Sequence, residues 1–287
     1  MLSSRNIGEF KARILHFSVG SAVLTINRVT LSLSVVSHGQ AGLVYALLND
    51  LQIYGRGISL EVLLTVNVPE QLSESLTHLA FPVRTIKNPI PLGFGENHNR
   101  AFRLAKGDFF CVVNPDIRIS SDIFPALLNA AKDIRVGVVA PLVLDSAGQI
   151  EDSARFFPTP LKIICKVFGR CKGGDYVIGN SVIFPDWTAG MFMLLRSEVY
   201  RQTGGFDHKF FLYYEDVDLC ARVWLLGLRV ALVPQVSVIH EARRSSHKKL
   251  PYFLHHLRSM LRFFMSPTFW RALYLRKAVR KLSVEQS

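Results

Sequence analysis

Cysteine is scarce: the 287 residues contain four, and none forms a C-x-x-C pair. Cys111 sits in an apolar run and Cys220 in a helical pattern. A zinc site and a disulfide framework therefore lack support, and all four are expected as reduced thiols in a cytosolic protein. No stretch has the length of a membrane span. The apolar segment Ile14 to Ile26 follows Arg5, Lys11 and Arg13, but it is too short to cross a bilayer and no small-residue cleavage site follows it. Residues 1–28 are expected as an N-terminal extension or extra helix rather than a targeting signal. There is no dinucleotide fingerprint, because His98 occupies the third glycine position after Gly93 and Gly95, and no Gly-Lys-Ser/Thr follows to make a Walker loop. Internal repeats and low-complexity runs are absent too. The 49% apolar content is ample for a core and excludes a disordered chain.

Acidic charge is missing from the C-terminal end. Residues 243–287 hold eleven Lys/Arg and a single acid, Glu285, so +10 of the net +12 lies there and the rest of the chain is nearly neutral. That distribution argues against a nucleic-acid groove across the fold and for a local anionic partner. Phe253, Leu257, Met260 and Phe264 recur at helical spacing, with Arg258 and Arg262 on another face. Pro267 breaks the pattern, and Phe269, Trp270, Leu273, Arg276, Lys277, Arg280 and Lys281 make a second basic, aromatic segment. Residues 246–287 are expected as a basic amphipathic helical tail on an anionic membrane surface; the plainer reading is a helix packed on the domain with a solvated basic face.

The body alternates strand and helix. Strands are expected at 29–36, 60–66, 83–86, 109–113, 136–140, 187–195, 229–234 and 236–239. Helices are expected at 41–54, 69–79, 123–131, 197–200 and from Glu215 to Gly227, with an irregular excursion over 151–185. This spacing implies βαβ units and a mainly parallel sheet in an α/β fold. The run Phe109 to Val113 has the composition of a strand covered on both faces, stopped by Pro115. It leaves Asn114 and Asp116 at the C-terminal edge, where ligands bind in open α/β sheets. A carboxylate there can ligate a hard cation that holds a diphosphate, and Asn-Pro-Asp can equally be a helix-capping turn. Glu215, Asp216 and Asp218 open a helix. They suit the helix dipole, and a carboxylate at a rigid helix end also suits a general base. His240 closes the last strand, where a lone histidine is more often structural but can ligate a metal.

Taken in order, several segments resemble the inverting glycosyltransferases of family two, which have the GT-A fold. They are Leu33 to Gly39, Gly93 to Arg100, Asn114-Pro115-Asp116, Trp187-Thr188-Ala189-Gly190, Gly204 to Cys220, and Val238-Ile239-His240. The Ser-His-Gly turn, the Asn-Pro-Asp edge and the Tyr-x-Glu-Asp-x-Asp-Leu-Cys run are most similar to bacterial rhamnosyltransferases of O-antigen and cell-wall assembly. The resemblance covers about residues 30–245 and implies a GT-A domain over 29–245. By the same resemblance Asp216 is the catalytic base, and Asp116 with His240 holds Mg²⁺ or Mn²⁺. Ser37, His38, Asn67, Gly93, Asn99, Asn114 and Asp116 line the nucleotide-sugar site, and Trp187, Gly190 and Glu215 the acceptor side. Val66 stands where the family usually has an aspartate that reads the nucleotide base or ribose, with Asn67 as its expected substitute. The Gln-x-x-Arg-Trp motif of processive synthases is absent, which implies single-sugar addition. The implied substrates are dTDP-rhamnose and a polyprenyl-diphosphate-linked saccharide, handled at the inner face of the cell membrane. Another donor such as a UDP-hexose, or an inactive membrane-binding member, is the alternative.

Overall fold

The structure is a computed structural model that describes residues 30–72, 76–167, 174–241 and 250–285; the extension expected over 1–28 lies outside them. Along the chain run β1 (Leu31–Ser37), α1 (Ala41–Tyr54), β2 (Leu60–Val66), a 3₁₀ turn (Leu76–His78), β3 (Val83–Lys87), α2 (Phe94–Phe102), β4 (Phe109–Val113), β5 (Ile117–Arg118), α3 (Phe124–Ala131) and β6 (Val136–Asp145). After them come β7 (Ala154–Arg155), α4 (Pro160–Val167), β8 (Trp187–Thr188), β9 (Phe192–Arg196), α5 (Ser197–Gln202), α6 (Glu215–Leu225), β10 (Arg229–His240), α7 (Leu250–Phe264) and α8 (Pro267–Glu285).

Eight strands form one sheet in the order β3-β2-β1-β4-β9-β6-β10-β5, and β7 pairs with β8 in a second, two-stranded sheet. The pairs β3–β2, β2–β1, β1–β4 and β6–β10 are parallel; β9 runs antiparallel between β4 and β6, and β5 antiparallel to β10. Residues alternate between two cores, as the pleat requires. Leu31, Leu33, Val35, Cys111 and Val113 face one side with α1 and α3, while Phe110 and Val112 face the other with Tyr200, Phe206 and α6. The Phe109–Val113 run is thus covered on both faces.

Several boundaries differ from the sequence reading. The expected strand 187–195 is two strands in different sheets, broken at Ala189–Met191. A continuous apolar run does not reveal such a bend. The two strands expected after Arg229 are one, whose register shifts between Val233 and Ser237 around Pro234. Ser197 does not cap α5; its hydroxyl donates to the Gly107 carbonyl at 2.6 Å. Cys111 and Cys220 are free and buried, but Cys165 is disulfide-bonded, which corrects the expectation of four reduced thiols.

The C-terminal helices are not a detached appendage. Phe263, Phe269 and Ala272 are completely buried in the same core as α6, and the Arg276 guanidinium meets the Asp186 carboxylate at 2.6 Å. The opposite faces stay open, with Phe253, Leu254, Leu261, Met265, Trp270 and Tyr274 exposed. Among the described residues no helix is long and apolar enough to cross a membrane.

Candidate active site

Pro115 ends β4, and the next two residues are captured by β10. Ile117 pairs with His240, and the Glu241 N–H donates to the Asp116 carbonyl at 2.8 Å. The segment is locked from behind, because Arg118 makes a two-pronged bond to Asp50 at 2.7 and 2.9 Å. Asp116 therefore stands beside His240, with Oδ2 3.4 Å from Nε2. Its other oxygen, Oδ1, is buried and has no hydrogen-bond partner. On the far edge of the imidazole, Nδ1 lies 2.9 Å from Glu151 Oε2. Burial disfavours the imidazolium, but the bonds and charges of Asp116 and Glu151 outweigh it and hold the His240 pKa up at about 9.

The same edge carries Asp216. The Asn114 N–H donates to the Met191 carbonyl at 2.9 Å, and the neighbouring Gly190 N–H donates to Asp216 Oδ2, also at 2.9 Å. The bend that breaks the expected strand thus links the Asn-Pro-Asp turn to the start of α6. A Cβ on Gly190 would lie 3.3 Å from the Asp216 Cβ, so glycine permits this approach.

The three acids of α6 separate by environment. Asp218 is buried and ion-paired with Arg222 at 2.7 Å. Glu215 is 5% exposed and its Oε2 has no hydrogen-bond partner. Burial, then the charge of Asp216, push its pKa well above the ordinary value. Asp216 is half-buried. Burial raises its pKa, against N–H bonds from Gly190 and Val217 and the charge of Arg155. Of the three it alone is a half-exposed carboxylate with a raised proton affinity, which is what a general base needs.

The loop before α6 is strained and braced. Tyr213 and Tyr214 are consecutive left-handed residues, with φ of 70° and 68°, a conformation costly for side chains of this size. Gly93 and Asn99 belong to the bracing. Gly93 has no room for a Cβ, which would meet the Phe211 backbone at 2.7 Å. The Asn99 side-chain oxygen accepts from the Tyr200 hydroxyl and the Phe206 N–H, and its amide donates to the Phe206 carbonyl. Trp187 is likewise spent on support: its indole N–H donates to the Phe156 carbonyl at 3.0 Å, under the Arg155 guanidinium.

Ser37, His38 and Asn67 meet at the ends of β1 and β2. The Ser37 hydroxyl accepts from the Gln40 N–H, and exposed His38 contacts the Asn67 amide at 3.2 Å. Asn67 also ties down Leu92 and Asn88, so its side chain organises this edge. Beside it opens a cavity of about 550 Å³ lined by Val66, Glu70, Lys87 and Asn88 among others. Glu70 accepts from the Gly39 N–H, while its buried Oε2 has no hydrogen-bond partner. Sequence reasoning missed both Glu70 and Glu151; neither has a motif around it.

The family described as "Glycosyltransferase like family 2" matches residues 62–260. The chain belongs to glycosyltransferase family 2. Its sequence is 33% identical over 187 residues to rhamnosyltransferase WbbL of Escherichia coli K12, covering 60% of this chain and 69% of that one. It is 30% identical to the N-acetylglucosaminyl-diphospho-decaprenol L-rhamnosyltransferase of Mycobacterium tuberculosis, covering 48% of each chain, so the match spans about half of that relative. The mannosyltransferase PcManGT of Pyrobaculum calidifontis, solved with GDP-Man and Mn²⁺, superposes with a TM-score of 0.59 at 17% identity, covering 88% of this chain and 70% of that one. This family 2 member therefore has the GT-A fold, with a curled, mostly parallel sheet between helices. Within it Asp116 and His240 fit a hard divalent cation. One carboxylate oxygen is buried without a partner, the His240 Nε2 stands 3.4 Å from the other, and a diphosphate can fill the remaining positions.

Proposed function

We propose that the chain is an inverting glycosyltransferase that moves a single L-rhamnose from dTDP-rhamnose to a polyprenyl-diphosphate-linked saccharide in bacterial surface-polysaccharide assembly. The sugar and acceptor rest on what the two relatives are named for. The chemistry rests on one observation: the break at Ala189–Met191 binds both the Asn114 backbone and the Asp216 carboxylate. The diphosphate-facing turn and the base thereby share one rigid hub.

The division of labour follows. The nucleoside lies at the ends of β1 and β2, against His38 and the cavity bordered by Val66 and Glu70. Mg²⁺ or Mn²⁺ held by Asp116 and His240 would supply the positive charge that stabilises the departing diphosphate. Asp216 takes the proton from the acceptor hydroxyl as that oxygen attacks the anomeric carbon from the opposite side. One carboxylate suffices, since a single displacement needs no covalent sugar intermediate. The exposed apolar residues of α7 and α8, with Arg258, Arg262 and Arg271 nearby in sequence, suit docking on an anionic membrane where a lipid-linked acceptor lies.

A panel of nucleotide sugars with a polyprenyl-diphosphate acceptor tests the reading. Release of dTDP that depends on acceptor and on Mg²⁺ or Mn²⁺ is expected. Turnover of a UDP-hexose in place of dTDP-rhamnose refutes the donor assignment, and no turnover of any donor refutes the enzymatic reading.

A further inference from the structure

Glu151 belongs to no motif, yet it occupies a fixed place at the site. Its N–H donates to the Val143 carbonyl at 2.9 Å, which pins it beside β6 where that strand pairs with the end of β10. From there Oε2 reaches Nδ1 of His240 at 2.9 Å, while Nε2 of the same ring points to Asp116. We propose that Glu151 is a positioning residue that fixes the ring and tautomer of His240, so that the Nε2 lone pair faces the cation held by Asp116.

The argument is one of donors and acceptors. An ionised carboxylate only accepts, so the nitrogen facing Glu151 must carry the hydrogen. In the neutral ring the other nitrogen, Nε2, is then the one with a free electron pair, and it stands 3.4 Å from Asp116 Oδ2, on the carboxylate whose Oδ1 is buried without a hydrogen-bond partner. Carboxylates behind a metal-binding histidine commonly act in this way. Glu151 is not itself a third ligand, because it touches the opposite edge of the imidazole. Consistent with this, no group of three His, Cys, Asp or Glu among the described residues converges to hold a metal ion.

The inference rests on the cation reading of Asp116 and His240, and the test separates the two. Mn²⁺ affinity is measured by electron paramagnetic resonance on the full chain with dTDP present, together with the His240 ring-nitrogen chemical shifts of the metal-free protein at a pH above the His240 value of about 9, where the ring is neutral. Glu151→Ala is expected to weaken Mn²⁺ binding ~10- to 100-fold, while Glu151→Gln, whose side-chain oxygen still accepts from Nδ1–H, stays within about threefold of the wild type. In a His240→Ala background, Glu151→Ala is expected to add nothing further. In the wild type the neutral ring is expected to carry its proton on Nδ1, and in Glu151→Ala to lose that preference. Unchanged Mn²⁺ affinity in Glu151→Ala, with binding abolished in Asp116→Ala, overturns the role of Glu151 alone. An equal loss in Glu151→Gln and Glu151→Ala that persists without His240 makes Glu151 a direct ligand and also overturns it. Unchanged affinity in Asp116→Ala removes the cation site, and the proposal with it.

Discussion

Replacing Asp216 with asparagine removes the proposed base at nearly constant shape, and the structure sets the size of the effect. General base catalysis contributes about 10²- to 10⁴-fold, or roughly 3–5 kcal/mol of barrier. The folding cost is separate. The two Asp216 oxygens accept from different donors, Oδ2 from the Gly190 N–H and Oδ1 from the Val217 N–H. Asparagine has one oxygen, so one of these N–H groups faces an amide NH₂ and goes unpaired, at about 1–3 kcal/mol of stability. The proposed donor contacts lie elsewhere on the edge. Asp216→Asn should therefore lose about 10²- to 10⁴-fold in kcat and melt somewhat earlier, while binding dTDP with unchanged affinity. The assay is dTDP release at saturating donor and acceptor, paired with titration calorimetry. A variant that keeps more than about a tenth of wild-type kcat refutes the assignment, since so small a loss falls below what a general base supplies.

Gly190→Ala should act through the same contact. The new Cβ would sit 3.3 Å from the Asp216 Cβ and 3.5 Å from the Phe94 ring, so the base must shift, and kcat should drop about tenfold or more with dTDP affinity preserved; wild-type turnover removes the hub argument. Glu215 gives a pH dependence. Its pKa is raised in the folded state by burial and then by Asp216, so its contribution to stability is full below the ordinary carboxylate pKa and fades as pH rises through the folded value. Glu215→Gln escapes that loss, and its melting temperature should gain on the wild type as pH is raised; a constant difference contradicts a raised Glu215 pKa. In the C-terminal helices, neighbouring aromatics should behave oppositely. Phe269 is completely buried, and Phe269→Ala should cost about 3–5 kcal/mol in denaturant unfolding. Trp270 is 56% exposed, and Trp270→Ala should leave the midpoint nearly unchanged but weaken sedimentation with anionic vesicles. Equal sedimentation of the two proteins rejects the membrane face.

Local pattern carried the elements far better than it carried side-chain tasks. Ala41–Tyr54 and Leu60–Val66 fall where apolar periodicity puts them, because each packs a whole face on the sheet. The failures are tertiary. The Asn99 side chain bonds to Phe206, 107 positions on, which no local pattern announces. Nothing near Glu151 in sequence signals a bond to His240, 89 positions away. An amphipathic helix looks the same whether its apolar face meets lipid or protein. Only the fold shows that α7 and α8 bury Phe263 and Phe269 while presenting Phe253 and Trp270 outward. The bend at Gly190 was hidden in a continuous apolar run, although it organises the site.

Anomalous diffraction from crystals grown with Mn²⁺ and dTDP tests the central claim most directly. The expected result is a single manganese peak within about 2.5 Å of the Asp116 carboxylate and His240 Nε2, touching the diphosphate, with Asp216 across the same cleft. A manganese peak on other residues, or protein filling the space between the diphosphate and Asp216, contradicts it.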